Sequence, residues 1–229
     1  MNKKVIILAL DNLDLNSAIK ITNQVKDKLL AVKIGLELYN LLSKKEIAQI
    51  SNLGVEIFLD LKLQDVPRTV YRSILALKGI SFRYLTVMSL GGAEMVKQAK
   101  KALNELDPNI KLLCVTLLTS LGTSELSKMG FSSSVEETVI ALAKNSNDAD
   151  GYVCSALECK LLREKFPSKL LFVPGLRMED DSKDDQIRTA TPALALQNGA
   201  DACILGKSLL KNDKVKENLE KVLQSIQQF

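Results

Sequence analysis

Four ionisable residues lie close together in the stretch FLDLKLQDVPRT, residues 58–69. The stretch begins as a buried strand and then brings Asp60, Lys62, Asp65 and Arg68 almost side by side. Buried charges are costly unless opposite charges compensate them, so the cluster indicates a network of carboxylates and ammonium groups. Such a network keeps Lys62 protonated and ready to donate to a developing carbanion. If the substrate placed a carboxylate beside Asp60, the departure of CO₂ would relieve repulsion and poor solvation.

Histidine is absent from the sequence. Its absence excludes Ser-His-Asp and Cys-His catalysis and any histidine general base. Zinc binding is disfavoured as well, because the four cysteines do not have the spacing of zinc ligands. Most of them lie in apolar runs, and we predict that they are small buried side chains: Cys114, Cys154, Cys159 and Cys203. No metal site is expected.

The composition is ordinary for a globular protein, with 46% hydrophobic residues and a net charge of +4. No run of Lys and Arg with interleaved aromatic residues is present, so nucleic acid is not an expected partner. The opening stretch MNKKVIILALDNLD is interrupted by Asp11, which favours a strand over a signal peptide. No apolar stretch approaches the roughly 18 residues of a membrane helix. We therefore expect a cytoplasmic protein without membrane contact.

Short β-rich runs alternate with amphipathic segments along the chain. The runs are mostly apolar throughout, as expected for parallel strands that are covered on both faces. They lie at 5–10, 31–35, 55–61, 84–89, 111–119, 151–156, 169–175 and 202–206. Eight strands, each followed by a helix, predict the α/β class and a (β/α)₈ TIM barrel. An open doubly wound sheet is the alternative, but no G-x-G-x-x-G turn follows the first strand. No linker is evident, so we predict a single barrel domain over residues 1–229.

A barrel of this type has its active site at the carboxyl ends of the strands. The unusual polar residues fall at those ends. They are Asp11 after the first strand, Lys33 late in the second, Asp60 and Lys62 at the end of the third, Thr119 at the end of the fifth, Arg177 after the seventh, and Gly206 with Lys207 after the eighth. Any one of them could be a solvated loop charge or a helix cap. Independent loop charges need not share one rim, however, so the set predicts a common site.

The loops after the seventh and eighth strands predict an anion-binding region. They read VPGLR (173–177) and LGKSLL (205–210), and these two loops often hold a phosphate in barrels. Gly175 and Gly206 would let the backbone approach the anion, and Arg177 could direct two donors at it. Glycines that merely allow tight turns are the alternative interpretation.

The stretch FLDLKLQDVPRT resembles the D-x-K-x-x-D signature of the orotidine 5′-monophosphate decarboxylase family. The resemblance continues in order along nearly the whole chain. The matching stretches are LALD (8–11), KIG (33–35), GG (91–92), VTLLTS (115–120), VPGLR (173–177), DDQIRTATP (184–192) and GAD…LGKS (199–208). This resemblance implies a cofactor-free conversion of orotidine 5′-monophosphate to uridine 5′-monophosphate and CO₂ in pyrimidine synthesis.

The resemblance also implies a role for each matching residue. Asp60 would stress the C6 carboxylate, Lys62 would protonate C6, and Lys33 would hold the network and touch the ribose. Asp65 would be supplied to the site of the partner subunit across a homodimer interface. The remaining substrate contacts would come from Asp11 at the ribose hydroxyls, Thr69 and Thr119 near the nucleotide, and Arg177, Gln186, Gly206 and Lys207 at the phosphate.

Several positions depart from the family pattern. Gln64 stands where the family commonly has histidine, and Arg68 stands where it has asparagine. The family also commonly has a histidine near the position of Met88, and this sequence has none. Lys207 replaces the usual arginine and loses its planar two-pronged grip, which predicts weaker phosphate affinity. The loop LRMEDDSKDDQIR, residues 176–188, is expected to cover the phosphate, with Glu179, Asp180 and Asp181 facing outward.

Two other functions remain open at this point. Sugar-phosphate aldolases and keto-gulonate phosphate decarboxylases share D-x-K-x-x-D, but they resemble one another in needing Mg²⁺ and a catalytic histidine. A catalytically silent nucleotide-binding protein with the same barrel would bind uridine monophosphate without turnover.

Overall fold

The computed structural model describes residues 4–178 and 190–226. Eight parallel strands form a closed barrel in which each strand pairs with its neighbours in sequence order and β8 pairs with β1. The strands are β1 Ile6–Ala9, β2 Ala31–Gly35, β3 Ile57–Leu63, β4 Tyr84–Met88, β5 Lys111–Val115, β6 Gly151–Val153, β7 Leu170–Val173 and β8 Ala202–Leu205.

Helices connect consecutive strands on the outside of this barrel, so the predicted (β/α)₈ architecture is confirmed. They are α1 Leu15–Val25, α2 Leu36–Leu41, α3 Lys44–Ser51, α4 Pro67–Leu75, α5 Ala93–Leu106, α6 Thr123–Lys128, α7 Val135–Asn145, α8 Ala156–Lys165, α9 Pro192–Gln197, α10 Lys207–Leu210 and α11 Val215–Ile226. Short 3₁₀ turns cover Lys26–Lys28, Ser89–Gly91 and Lys211–Asp213. None of the helices within the described ranges has both the length and the apolar character needed to cross a membrane.

The helices form because their apolar residues recur at helical spacing and their ends are capped. In α1, Ala18, Thr22 and Val25 are buried against the outer face of the barrel. Before α7, Ser134 and Glu137 form a reciprocal capping box, which satisfies two backbone N–H groups at the helix start. The four cysteines are buried and unpaired, as predicted.

Alternate residues of each strand point into the barrel, because side chains alternate sides along a strand. Near the amino ends of the strands this interior is filled by three aromatic rings, Phe58, Tyr84 and Phe172. Their centroids lie 5.0–6.0 Å apart in edge or tilted contacts. The next inward residues on the same strands lie nearer the carboxyl ends and include Asp60. The aromatic rings therefore close the lower part of the barrel interior, and the upper part above them stays open.

Most predicted strand ends differ from the observed ones by one to four residues, and the sixth strand ends at Val153 rather than at residue 156. The fifth strand ends at Val115 rather than at residue 119, so Thr119 lies on the following loop. Its neighbour β6 has only three residues, and after Thr116 bonds to Val153 the chain has no further strand to pair with. The third strand continues to Leu63, two residues beyond the prediction, because a bulge extends its pairing with β4.

Candidate active site

A cavity of about 690 Å³ opens at the carboxyl ends of the strands. Its wall contains polar residues on or just after six of the strands, together with apolar side chains from the upper barrel. The residues predicted from sequence that line it are Asp11, Lys33, Asp60, Lys62, Thr119, Arg177, Gly206 and Lys207. Apolar neighbours such as Val115, Val153 and Ile204 close the inner surface.

One side of the cavity holds a chain of alternating charges. Asp11 lies within 3.0 Å of the Lys33 ammonium, which lies 3.5 Å from Asp60 Oδ2. The same Asp60 oxygen lies 2.8 Å from Lys62 Nζ. Lys33 and Asp60 are each only 8% exposed, so these charges are held largely out of water. A buried ion pair is tolerated only when good geometry and additional bonds compensate desolvation, and this chain supplies both.

Asp60 is a buried carboxylate with several compensating partners. Burial alone would raise its pKa, but the Lys62 and Lys33 ammonium groups, with hydrogen bonds from Lys62 and Thr86, outweigh burial and hold the pKa below its ordinary value. Asp60 is therefore ionised at neutral pH. A fixed negative charge thus lies in contact with a lysine that faces the cavity.

The close approach of Lys33 to Asp11 depends on Gly35. A methyl group at this position would lie 2.9 Å from both Asp11 Oδ1 and Lys33 Nζ. Any larger side chain would therefore separate the two charged groups or displace them. Glycine at the end of β2 keeps this corner of the cavity open.

Lys62 occupies a strained backbone position. Its φ angle is +47°, in the left-handed region that residues other than glycine rarely adopt. The strand is bulged here, since the pairing with β4 changes register between Leu59 and Leu63. The Lys62 N–H donates to the hydroxyl of Thr86 on β4 at 2.9 Å. Local strain of this kind is often found at functional sites.

The other side of the cavity carries basic residues and two glycines. Gly175 has a φ angle of +71°, which glycine adopts without strain, and Arg177 follows it. Gly206 is the N-cap of α10, and Lys207 is the first residue of that helix. The backbone around Arg177 is anchored by its own N–H, which donates to the carbonyl of Ala190 at 2.9 Å.

A further lysine, Lys211, lines this basic side one helical turn after Lys207. The loop that carries it is fixed from behind by Asn218 of α11. The Asn218 amide donates to the carbonyls of Leu209 and Lys211 at 3.0 and 2.9 Å. The cavity therefore combines a mixed-charge side with a cationic side, and a phosphorylated substrate could span the two.

The sequence model that describes the orotidine 5′-phosphate decarboxylase / HUMPS family matches residues 4–222. The chain belongs to this family. An orotidine 5′-phosphate decarboxylase of Fusobacterium nucleatum is 38% identical over 219 residues, which are 94% of this chain and 92% of that protein. One of Wolbachia pipientis is also 38% identical, over 96% of this chain and 98% of that protein. The crystal structure of orotidine 5′-phosphate decarboxylase from Lactobacillus acidophilus matches with a TM-score of 0.83 and 33% identity, covering 97% of this chain and 99% of that chain.

Two residues of the family signature lie outside the cavity of their own chain. Asp65 is exposed on the loop after β3, and its carboxylate accepts the N–H of Val66 at 2.7 Å. Thr69 is exposed on α4. Neither contributes to the cavity wall. Gln186 lies outside the described residues, as do the acidic residues 179–185, so their predicted positions stay predictions.

The alternative of a Mg²⁺-dependent sugar-phosphate enzyme requires a group of metal ligands. Across residues 4–178 and 190–226, no three or more His, Cys, Asp or Glu side chains are grouped so that they could hold a metal ion. The carboxylates near the cavity are instead paired with lysines. Asp11 and Asp60 face Lys33, and Asp60 also faces Lys62.

Sequence reasoning missed two residues of this family member's site. Thr86 lies in the run YLTVMS, where threonine is an ordinary strand former. Its alternation with Tyr84 and Met88 would have placed it on the inner face of the barrel. Lys211 lies four residues after Lys207, which is the spacing of neighbours on one helix face. That spacing was a usable signal for a second cation near the same anion.

Proposed function

We propose that this chain decarboxylates orotidine 5′-monophosphate to uridine 5′-monophosphate in pyrimidine biosynthesis, and that it does so without a cofactor. The proposal rests on one observation above all, the Asp60–Lys62 contact of 2.8 Å in the wall of a cavity that is also lined by Arg177, Lys207 and Lys211. Family membership and relatives named orotidine 5′-phosphate decarboxylase support it.

The substrate would lie across the cavity with its phosphate at the cationic side. Arg177, Lys207 and the backbone at Gly206 are the proposed phosphate contacts, with Gln186 as a further one. Lys211 adds a second lysine beside Lys207, where the family usually has arginine. Asp11 and Lys33 would contact the ribose hydroxyls, and Thr119 would lie near the nucleotide. Phosphate contacts remote from the reacting carbon can supply binding energy that is used at that carbon.

The reaction would begin with the C6 carboxylate of the substrate beside Asp60. Repulsion from the ionised Asp60 destabilises this carboxylate more than the transition state, in which negative charge moves from the carboxylate toward C6. The C6–carboxylate bond breaks, CO₂ leaves, and the electron pair stays at C6. The Lys62 ammonium then transfers a proton to C6, becomes a neutral amine and regains its proton from water. Lys33 holds Asp60 in place from the other side.

The proposed active unit is a homodimer in which Asp65 completes the partner's site. The exposure of Asp65 and Thr69 supports this, because neither reaches the cavity of its own chain. Apolar residues near the same rim are also exposed, Val66 to 63% and Leu41 to 68%. Exposed apolar groups of this kind are frequent at protein interfaces.

Mixing two inactive variants tests the dimer. In a hybrid of Lys62→Ala and Asp65→Asn subunits, one of the two sites contains both native residues, because Asp65 and Lys62 come from different chains. Activity should therefore return on mixing and subunit exchange. A doubly substituted chain mixed with wild type serves as the control. Failure of the two single variants to complement each other would contradict a shared site.

The activity itself is tested by following the absorbance of orotidine 5′-monophosphate with purified protein in EDTA. Turnover that persists in EDTA supports cofactor-free decarboxylation. Activity that requires Mg²⁺ would instead favour the sugar-phosphate reactions of related barrels. Binding of uridine monophosphate without turnover would identify a silent nucleotide-binding protein and would refute the proposed function.

A further inference from the structure

Thr86 connects the two charged residues of the proposed reaction through one hydroxyl group. It lies on β4 next to β3 and is fully buried. The hydroxyl is 2.9 Å from the Lys62 backbone nitrogen and 3.0 Å from Asp60 Oδ1. The direction of both bonds is fixed by chemistry, because a backbone N–H can only donate and an ionised carboxylate can only accept. Thr86 therefore accepts from Lys62 and donates to Asp60.

The bulge in β3 explains why this hydroxyl matters. Between the pairs Leu59–Leu85 and Leu63–Val87, four residues of β3 advance against two residues of β4. A bulged residue loses its place in the ladder of backbone hydrogen bonds. At Lys62, whose φ angle is +47°, the Thr86 hydroxyl takes the place of a ladder carbonyl. Left-handed backbone at a residue with a side chain persists only when its surroundings hold it there.

We propose that Thr86 is a positioning residue for the Lys62–Asp60 pair. The inference rests on the proposed function, in which Lys62 donates a proton at the carbon next to Asp60. Thr86 does not line the cavity, so it acts through its two neighbours and not on the substrate. One bond holds the backbone turn that directs the Lys62 side chain into the cavity, and the other fixes the orientation of the Asp60 carboxylate.

Two substitutions separate the hydroxyl from the shape of the side chain. Thr86→Val keeps the size and branching of threonine but leaves the Lys62 N–H without an acceptor and Asp60 without this donor. Thr86→Ser keeps the hydroxyl and loses only a methyl group. A role in packing predicts that serine is the more harmful change, whereas positioning predicts the reverse.

Kinetics of both variants with orotidine 5′-monophosphate provide the first measurement. Misplacement of a reacting group by about 1 Å costs on the order of 100-fold in rate, and we expect a loss of that size in kcat for Thr86→Val. The Michaelis constant should change much less, because the proposed phosphate contacts follow β7 and β8, which are not adjacent to β3 or β4. Thr86→Ser should restore most of the kcat. Wild-type kcat in Thr86→Val, or equal losses in the two variants, would overturn the proposal.

Crystal structures of wild type, Thr86→Val and Thr86→Ser provide a measurement that does not depend on activity. In Thr86→Val, Lys62 Nζ should leave hydrogen-bonding distance of Asp60, while Thr86→Ser should keep the contact. A Thr86→Val structure with the contact intact would overturn the positioning role. If wild type does not turn over orotidine 5′-monophosphate, the proposed function fails, and the structures alone then decide whether Thr86 sets this geometry.

Discussion

Ionic contacts lie at both ends of the barrel, and the two sets are built differently. The upper network, at the carboxyl ends of the strands, consists of Asp11, Lys33, Asp60 and Lys62. The lower network, at the amino ends, consists of the pairs Lys100–Asp150 and Arg163–Asp201, with N–O distances of 2.5 and 2.6 Å. The same chemical groups are present in both, but their partners differ.

Each carboxylate of the lower network accepts a hydrogen bond from a backbone N–H group as well as contacting a cation. Asp150 immediately precedes β6, and Oδ2 accepts the Leu112 N–H of β5 at 2.8 Å. Asp201 immediately precedes β8, and Oδ2 accepts the Leu171 N–H of β7 at 3.0 Å. In each case the Asp N–H also donates to the carbonyl of the same leucine. Each carboxylate therefore joins the starts of two adjacent strands.

The upper carboxylates face side chains and a cavity instead. Asp60 contacts two lysines and the Thr86 hydroxyl, and its charge borders the space that a substrate would fill. The difference teaches that an ion pair in a barrel must be interpreted from its partners. A carboxylate that accepts backbone N–H groups contributes to stability, whereas one that holds lysines toward a cavity can act in chemistry.

The largest effect among the carboxylates is expected for Asp60→Asn. Loss of this charge removes the repulsion toward the substrate carboxylate and the group that holds Lys62. We expect kcat to fall by about 10²–10³-fold, the usual range for removal of one preorganised electrostatic group. Steady-state assays of Asp60→Asn measure this effect. A fall in kcat of less than threefold would contradict a catalytic role for the upper network.

The opposite result is expected for Asp201→Ala at the lower end. This change leaves the Leu171 N–H and the Arg163 guanidinium without their shared acceptor, at a cost of about 1–3 kcal/mol in the free energy of unfolding. Urea titration measures the cost, and kcat should stay close to wild type. Asp148→Ala, an exposed carboxylate in the turn before β6, is the control and should change little. Loss of kcat without loss of stability in Asp201→Ala would contradict the assignment.

The pH dependence of stability sharpens the comparison for Asp60. Its folded-state pKa lies below the ordinary value of about 3.9, so the ionised carboxylate stabilises the fold at neutral pH. This contribution is fully present above the unfolded-state pKa and is lost as the pH falls through the lower folded-state pKa. The stability difference between wild type and Asp60→Asn should therefore hold from pH 7 to about pH 4 and shrink only below it. A difference that disappears between pH 6 and 5 would show that the lysines do not hold Asp60 ionised.

The smallest effect is expected at Lys211, on the cationic wall. Removal of one charge near the phosphate in Lys211→Ala should raise the Michaelis constant about three- to tenfold, with kcat nearly unchanged. Lys214→Ala is the matched control, because Lys214 lies nearby but is 60% exposed and pairs with Glu217. Equal Michaelis constants in the two variants would place Lys211 outside the phosphate contacts.

The barrel was predictable because its strands are continuous apolar runs that alternate with helical patterns. The rim residues Asp11, Lys33, Asp60 and Lys62 followed from the rule that the carboxyl ends of barrel strands meet. The predicted end of the fifth strand, at residue 119, was wrong. The apolar run 111–119 continues beyond the point where its partner strand stops. Sequence cannot show where a neighbouring strand ends.

Features that depend on register were not predictable. The contacts of Thr86 could not be predicted, because they depend on the bulge at Lys62. This bulge brings the Thr86 hydroxyl between two groups of the neighbouring strand. The spacing of Asp60 and Lys62 indicated a shared face but not the left-handed backbone at Lys62. In the proposed homodimer Asp65 acts in the partner's site, and neither the sequence pattern nor a single chain determines such a contact.

The central claim is that Lys62 protonates C6, and its most direct test compares Lys62→Ala with Lys100→Ala. Both substitutions remove a lysine that contacts an aspartate, one in the upper network and one in the lower network. With orotidine 5′-monophosphate in EDTA, Lys62→Ala should lose about 10²–10⁴-fold in kcat, the range for a general acid, while Lys100→Ala should keep its rate. Undiminished turnover by Lys62→Ala, in protein that remains folded, would contradict the account.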